Sequence, residues 1–159
     1  MIHVAVAGNP NSGKTCIFNN LTGGNQRVGN YPGVTVEFVK GTAKYEDQEF
    51  CVVDLPGTYS LTAYSQEEVV ARDFLIHEKP DVALLVVDAG NLERNLYLAV
   101  QILELNVPVV IALNMIDVAE KKGYLINHKR LGKLLGVHVV PTIATKKVGM
   151  DELKAACLD

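Results

Sequence analysis

The chain has 159 residues, 48% of them hydrophobic but only 6% aromatic, and a formal net charge of −3. That length suits one domain with an aliphatic core, and the mildly acidic balance gives no reason to expect nucleic acid as a partner. Three cysteines in no recognisable spacing argue against a disulfide framework, and four histidines form no metal-ligand cluster with them.

Residues 2–7 form an apolar run that reads as a buried strand. The octapeptide Gly8-Asn9-Pro10-Asn11-Ser12-Gly13-Lys14-Thr15 follows and fits G-x-x-x-x-G-K-[ST], with residues 16–21, from Cys16 on, reading as a helix. Strand, loop and helix in that order are what a phosphate-binding loop requires. Gly8 and Gly13 let the backbone curl so that N–H groups converge on anionic oxygens at the positive end of the helix. Lys14 is placed to reach the β- and γ-phosphates, and the Thr15 hydroxyl to hold Mg²⁺. Cys16, at the helix start, reads as a small packed residue beneath the loop.

Residues 22–33 are polar and glycine-rich and read as a long loop. Residues 35–45 and 49–54, joined by Glu46-Asp47-Gln48, read as an antiparallel hairpin at the sheet edge. Residues 57–64 form a second irregular stretch, and the capping box Ser65-Gln66-Glu67-Glu68 opens a helix to about Ile76. A buried strand spans 81–88, and Leu92, Leu96, Val100 and Leu103 recur at helical spacing. Residues 109–113 are the fifth strand, followed by a charged connection to Gly123. A short helix capped by Asn127 stops at Gly136, before a strand over 137–140 and a helix over 150–158. This alternation predicts an α/β fold: a mostly parallel six-stranded sheet with one antiparallel edge strand and helices on both faces. The longest apolar runs, 82–87 and 107–113, fall far short of the ~20 residues of a membrane-spanning helix, so a soluble domain is expected.

Two further motifs close strands. Asp54-Leu55-Pro56-Gly57 supplies an acid for a Mg²⁺ shell and a glycine whose N–H can turn toward a γ-phosphate. Asn114-Met115-Ile116-Asp117 sets a carboxylate beyond a buried strand, where it can accept hydrogen bonds from guanine N1–H and N2–H₂. Adenine offers no such donor pair.

The ordered set GNPNSGKT, Thr35, DLPG and NMID resembles a translation-factor-type GTPase. The longer strings GNPNSGKTCIFNNLTG, VGNYPGVTVE and DLPGTYSL resemble the N-terminal G domain of the FeoB ferrous-iron transporter family, over essentially the whole chain. The resemblance implies a small G-protein-like P-loop NTPase with GTP or GDP and Mg²⁺ as ligands. It assigns Thr35 to Mg²⁺ and the γ-phosphate, Asp54 to Mg²⁺ through water, Gly57 to the γ-phosphate, and Asn114, Met115 and Asp117 to the guanine. Residues 22–34 and 57–64 become switch loops. Helical and transmembrane transporter domains of the same polypeptide would follow, at the cytoplasmic side of the inner membrane, with room for a homo-oligomer.

Three departures from the usual GTPase pattern matter. Met115 replaces a lysine and can pack on the base. Ile143-Ala144-Thr145 replaces Ser-Ala-x, leaving the Ala144 N–H as the main contact of that loop and suggesting fast nucleotide release. Thr58 stands where a water-orienting glutamine is usual and is too short for that reach. Arg27 is a weak substitute. Asn11 resembles the asparagine of potassium-activated GTPases, which would hold K⁺ with carbonyls such as those of Gly29 and Tyr31. The competing readings are an RNA-associated assembly or modification GTPase, an ATP-dependent kinase or ATPase, and a nucleotide sensor without turnover.

Overall fold

The computed structural model describes residues 1–159 apart from Pro32, Val34 and Ala63. Its frame is one seven-stranded sheet in the order β2-β3-β4-β1-β5-β6-β7. The strands are β1 (Ile2–Gly8), β2 (Gln26–Asn30), β3 (Glu37–Tyr45), β4 (Gln48–Asp54), β5 (Val82–Asp88), β6 (Val109–Asn114) and β7 (His138–Pro141). The helices are α1 (Lys14–Thr22), α2 (Gln66–Asp73), α3 (Leu92–Leu103), α4 (Ile116–Lys121), α5 (His128–Leu135) and α6 (Met150–Leu158).

The central strands are buried on both faces, and their side chains alternate between two cores as the pleat demands. Ala5, Ala7, Ala83, Leu85, Val87, Ile111 and Leu113 join Ala71, Leu75, Leu98 and Ile102 on one face. Val4, Val6, Phe50, Val52, Leu84, Val86 and Ala112 join Ile17, Phe18, Leu21 and Leu153 on the other. Thus α2 and α3 cover one side, and α1 and α6 the other. The parallel pairs β4–β1, β1–β5 and β5–β6 align Val6 with Asp54 and Leu84, and Asp88 with Asn114. Strand ends that carry the motifs therefore emerge along one edge of the sheet.

The α/β class and the helices on both faces match the sequence reading, while the strand count does not. Gln26–Asn30, read as part of a loop, pairs antiparallel with β3 and adds a seventh strand. Only Gly29 in it is even half-buried, so it carries no apolar alternation to betray a strand. The edge strand is therefore β2, and the antiparallel β3 lies inside it. β3 begins at Glu37, two residues after Thr35, and Ile116–Lys121 of the charged connection is helical. The predicted switch loops include Pro32, Val34 and Ala63, which lie outside the described residues.

Ser65 caps α2, its hydroxyl accepting the Glu68 N–H at 3.1 Å, as the capping box requires. The helix widens into a π turn over Phe74–Glu78 and stops at Lys79 (φ 46°), which precedes Pro80. No helix among the described residues is long and apolar enough to cross a membrane.

Gly41 of β3 packs against the end of α1. A Cβ there would lie 2.7 Å from the Asn25 carbonyl oxygen and 2.5 Å from Thr22 Cγ2. Gly41→Ala should therefore cost about 1–3 kcal/mol of stability. A lower urea midpoint at unchanged slope is expected, and an unaltered midpoint would contradict the close packing.

Candidate phosphate-binding site

The loop between β1 and α1 turns on two residues in the left-handed region, Asn11 (φ 66°) and Gly13 (φ 92°). Asparagine tolerates that conformation better than most side chains, so Asn11 has a backbone role whatever its amide does. Gly13 has no alternative, because a Cβ there would fall on the Asn114 amide. The loop surrounds a cleft of about 370 Å³ lined by Asn9, Pro10, Asn11, Gly13, Lys14, Thr15, Cys16 and Gly57. Ser12, also part of the loop, is buried beneath it.

Lys14 is 9% exposed and its ammonium pairs with Asp54 Oδ1 at 2.5 Å. Burial raises the Asp54 carboxyl above its ordinary value, and the charge and hydrogen bond of Lys14 only partly offset that. The Thr15 hydroxyl, in the first turn of α1, and the Asp54 carboxylate, which holds the Lys14 ammonium, are hard oxygen donors. That donor chemistry fits Mg²⁺ bound together with phosphate oxygens. Gly57 packs on Pro10, and the Thr58 N–H donates to the Gly8 carbonyl at 3.0 Å.

At the other end, Asn114 is 2% exposed and every polar group of its amide is engaged. Its Nδ2 donates to the Ser12 carbonyl at 3.0 Å, while Oδ1 accepts from the Thr142 hydroxyl at 3.1 Å and the Ala144 N–H at 3.0 Å. Asn20 of α1 adds a bond from its Nδ2 to the Ala144 carbonyl at 2.7 Å. Asn114 thus ties the phosphate loop to the 142–145 loop. The Ala144 N–H, expected to face the guanine, is instead engaged by Asn114. Ile143 bonds through its backbone to Val148, and Thr145 is exposed beside it. Met115 takes φ 62°, and its methyl group lies 3.7 Å from where a Gly13 Cβ would stand. Asp117, half-buried in the first turn of α4, has no hydrogen-bond or ion-pair partner among the described residues.

Other expected members lie elsewhere. The Thr35 hydroxyl donates to Gln66 Oε1 at 3.3 Å, away from the cleft lining. Gly29 sits in the ladder opposite Phe38. Tyr31 packs edge-on against Phe38 at 5.4 Å, and its hydroxyl is pushed up to about 12 by burial and then by the Asp54 charge. Neither Gly29 nor Tyr31 lines the cleft with Asn11, so of the three expected K⁺ donors this arrangement places only Asn11 at the loop. Arg27 stands opposite Lys40 on the exposed edge strand. Sequence reasoning missed Asn20 and Thr142, whose roles come from contacts spanning 124 and 28 residues of chain.

The family model described as ferrous iron transport protein B matches residues 2–157. The chain belongs to the FeoB family. It is 51% identical over 154 residues to the Fe(2+) transport protein A/Fe(2+) transporter FeoB fusion protein of Porphyromonas gingivalis, covering 96% of this chain and 18% of that protein. It is 48% identical over 157 residues to the Fe(2+) transporter FeoB of Escherichia coli K12, covering 96% and 20%. The chain thus spans about a fifth of the length of these curated relatives. Among solved structures, a GDP-bound variant of S. thermophilus NFeoB matches with a TM-score of 0.94 and 52% identity, over 99% of this chain and 61% of that one. The G domain of the T. maritima FeoB iron transporter matches with a TM-score of 0.93 and 44% identity, over 99% and 97%. The chain corresponds to the FeoB G domain, a P-loop NTPase fold.

Asn114→Ala removes the partner of the buried Ala144 N–H and Ser12 carbonyl at once. It should destabilise the domain by about 2–3 kcal/mol, measured by urea unfolding. A loss below about 0.5 kcal/mol, the size of an ordinary surface change, would show that the clamp is dispensable.

Proposed function

We propose that this domain binds GTP and GDP with Mg²⁺ and hydrolyses GTP to GDP and phosphate. The observation that carries this reading is the Asp117 carboxylate on the α4 turn, without a partner among the described residues and fixed relative to the phosphate loop through Asn114. A carboxylate there accepts two hydrogen bonds from guanine and meets no matching donor pair on adenine. Lys14 binds the β- and γ-phosphates, leaving Asp54 free to support the Mg²⁺ shell with Thr15. The Gly57 N–H meets the γ-phosphate. For Thr35 to reach Mg²⁺, it must leave Gln66, so triphosphate binding moves Thr35.

In a longer polypeptide this cycle would regulate or gate ferrous iron uptake by an attached transporter, with the domain on the cytoplasmic side of the membrane. The family membership supports that role, and the GDP-bound relative supports the nucleotide. Activation by a monovalent cation rests on Asn11 alone and requires Gly29 to leave the edge strand and Tyr31 its place against Phe38. The RNA-associated alternative finds no support in the net charge of −3.

Phosphate release from GTP and from ATP, each in K⁺ and in Na⁺, tests these points together. Turnover of GTP but not ATP is expected, faster in K⁺, with the K⁺ preference lost in Asn11→Ala. Equal turnover of ATP would refute the nucleotide assignment, and a K⁺ preference retained by Asn11→Ala would refute the cation role. Asp117→Asn should weaken GTP binding on the order of a hundredfold or more while admitting xanthosine triphosphate. Unchanged GTP affinity would place the guanine elsewhere.

A further inference from the structure

The stretch that follows Gly57 is held by two side chains of α3. Gly57 itself lies so close to the phosphate loop that a Cβ would stand 3.3 Å from Pro10 Cα, and the next N–H donates to Gly8. The Arg94 guanidinium then sits over the Tyr59 ring, 4.4 Å from its centroid. Gln101 Oε1 accepts the Leu61 N–H at 2.6 Å. The Leu61 side chain is 8% exposed and joins the core that holds Leu98 and Ile102 of α3. Arg94 and Gln101 stand two helical turns apart and so share one face of the helix.

That helix is a fixed reference. Asn95 Oδ1 accepts the Asp88 N–H at 3.1 Å and its Nδ2 donates to the Asn91 carbonyl at 2.9 Å, tying the start of α3 to the end of β5. Leu98, Ala99 and Ile102 are almost fully buried against the sheet. Anchors on α3 therefore locate residues 58–61 relative to the sheet that also carries the phosphate loop.

We propose that Arg94 and Gln101 are positioning residues for GTP cleavage, holding residues 58–61 so that Gly57 stays against the phosphate loop. This rests on the hydrolysis reading above. Neither side chain lines the cleft, so neither contributes to binding GDP. Their effect falls on a step that needs Gly57 in place, because a pre-positioned group lowers the barrier without tightening the ground state. Gln101 is the stronger anchor, since its loss leaves a partly buried N–H without an acceptor. Arg94 acts through an exposed ring contact, which is weaker.

Single-turnover GTP cleavage, GDP affinity and hydrogen exchange at the Leu61 amide, all on the 159-residue chain, test the proposal. Gln101→Ala should slow cleavage about fivefold, leave GDP affinity within about twofold and speed Leu61 exchange about tenfold. Gln101→Glu restores an acceptor and should recover most of the rate. Arg94→Ala and Tyr59→Leu should each slow cleavage about twofold to threefold, with Tyr59→Phe losing less because the ring face remains. The proposal is overturned if Gln101→Ala cleaves at the wild-type rate while Leu61 exchanges faster. A parallel fall in rate and GDP affinity, or failure of Gln101→Glu to recover, would reduce the role to general stability and overturn it too. If the unmodified chain does not cleave GTP, the hydrolysis reading falls and this proposal with it. Wild-type cleavage with an insensitive Gln101→Ala removes the positioning role alone.

Discussion

The buried amide of Asn114 is the constraint on which the site depends. Three hydrogen bonds join it to Ser12, Thr142 and Ala144, so one side chain at the end of β6 locks two loops that are far apart in sequence. A buried amide with its groups paired is rigid because any displacement strands polar atoms away from water. This explains why Gly13 must lack a side chain: the amide occupies the space a Cβ would need. It also explains why Asp117, three residues on, sits at a defined place relative to Lys14.

The sheet supplies the remaining order. Parallel register brings the ends of β1, β4 and β6 to one edge, where open α/β folds bind their ligands. β1 delivers the phosphate loop, β4 delivers Asp54 and then Gly57, and β6 delivers Asn114. Lys14 and Asp54 neutralise each other in a mostly buried setting, where an unpaired charge would be costly. Under the proposed function a phosphate would compete for Lys14 with that carboxylate, which would link ligand binding to the release of Asp54 toward a metal. Tyr59 and Leu61 are tied to α3, whereas Gln26–Asn30 form the exposed edge of the sheet. The two stretches are therefore held by unequal means.

What could be read from the sequence was what neighbouring residues encode. Gly8 to Thr15, Asp54 to Gly57 and Asn114 to Asp117 are contiguous strings whose chemistry follows from their own spacing, and their strands are apolar enough to declare themselves. The capping of α2 by Ser65 was legible for the same reason. β2 was not, because Gln26–Asn30 is polar and almost wholly exposed and takes its strand form from pairing with β3. Nor was the engagement of Ala144 by Asn114, the anchoring of Leu61 by Gln101, or the placement of Thr35 on Gln66. Each joins residues that only the folded topology brings together. Asn11 shows the two levels at once: its type suggested an ion ligand, and the backbone adds that its left-handed φ already favours asparagine.

That the Asn114-anchored α4 turn makes this a guanine site can be tested without turnover. Calorimetric titration of the domain with GDP and with ADP in Mg²⁺ buffer measures it directly. GDP should bind at least about a thousandfold more tightly, the scale set by leaving a buried recognition group unmatched. Comparable affinities for the two diphosphates would contradict it.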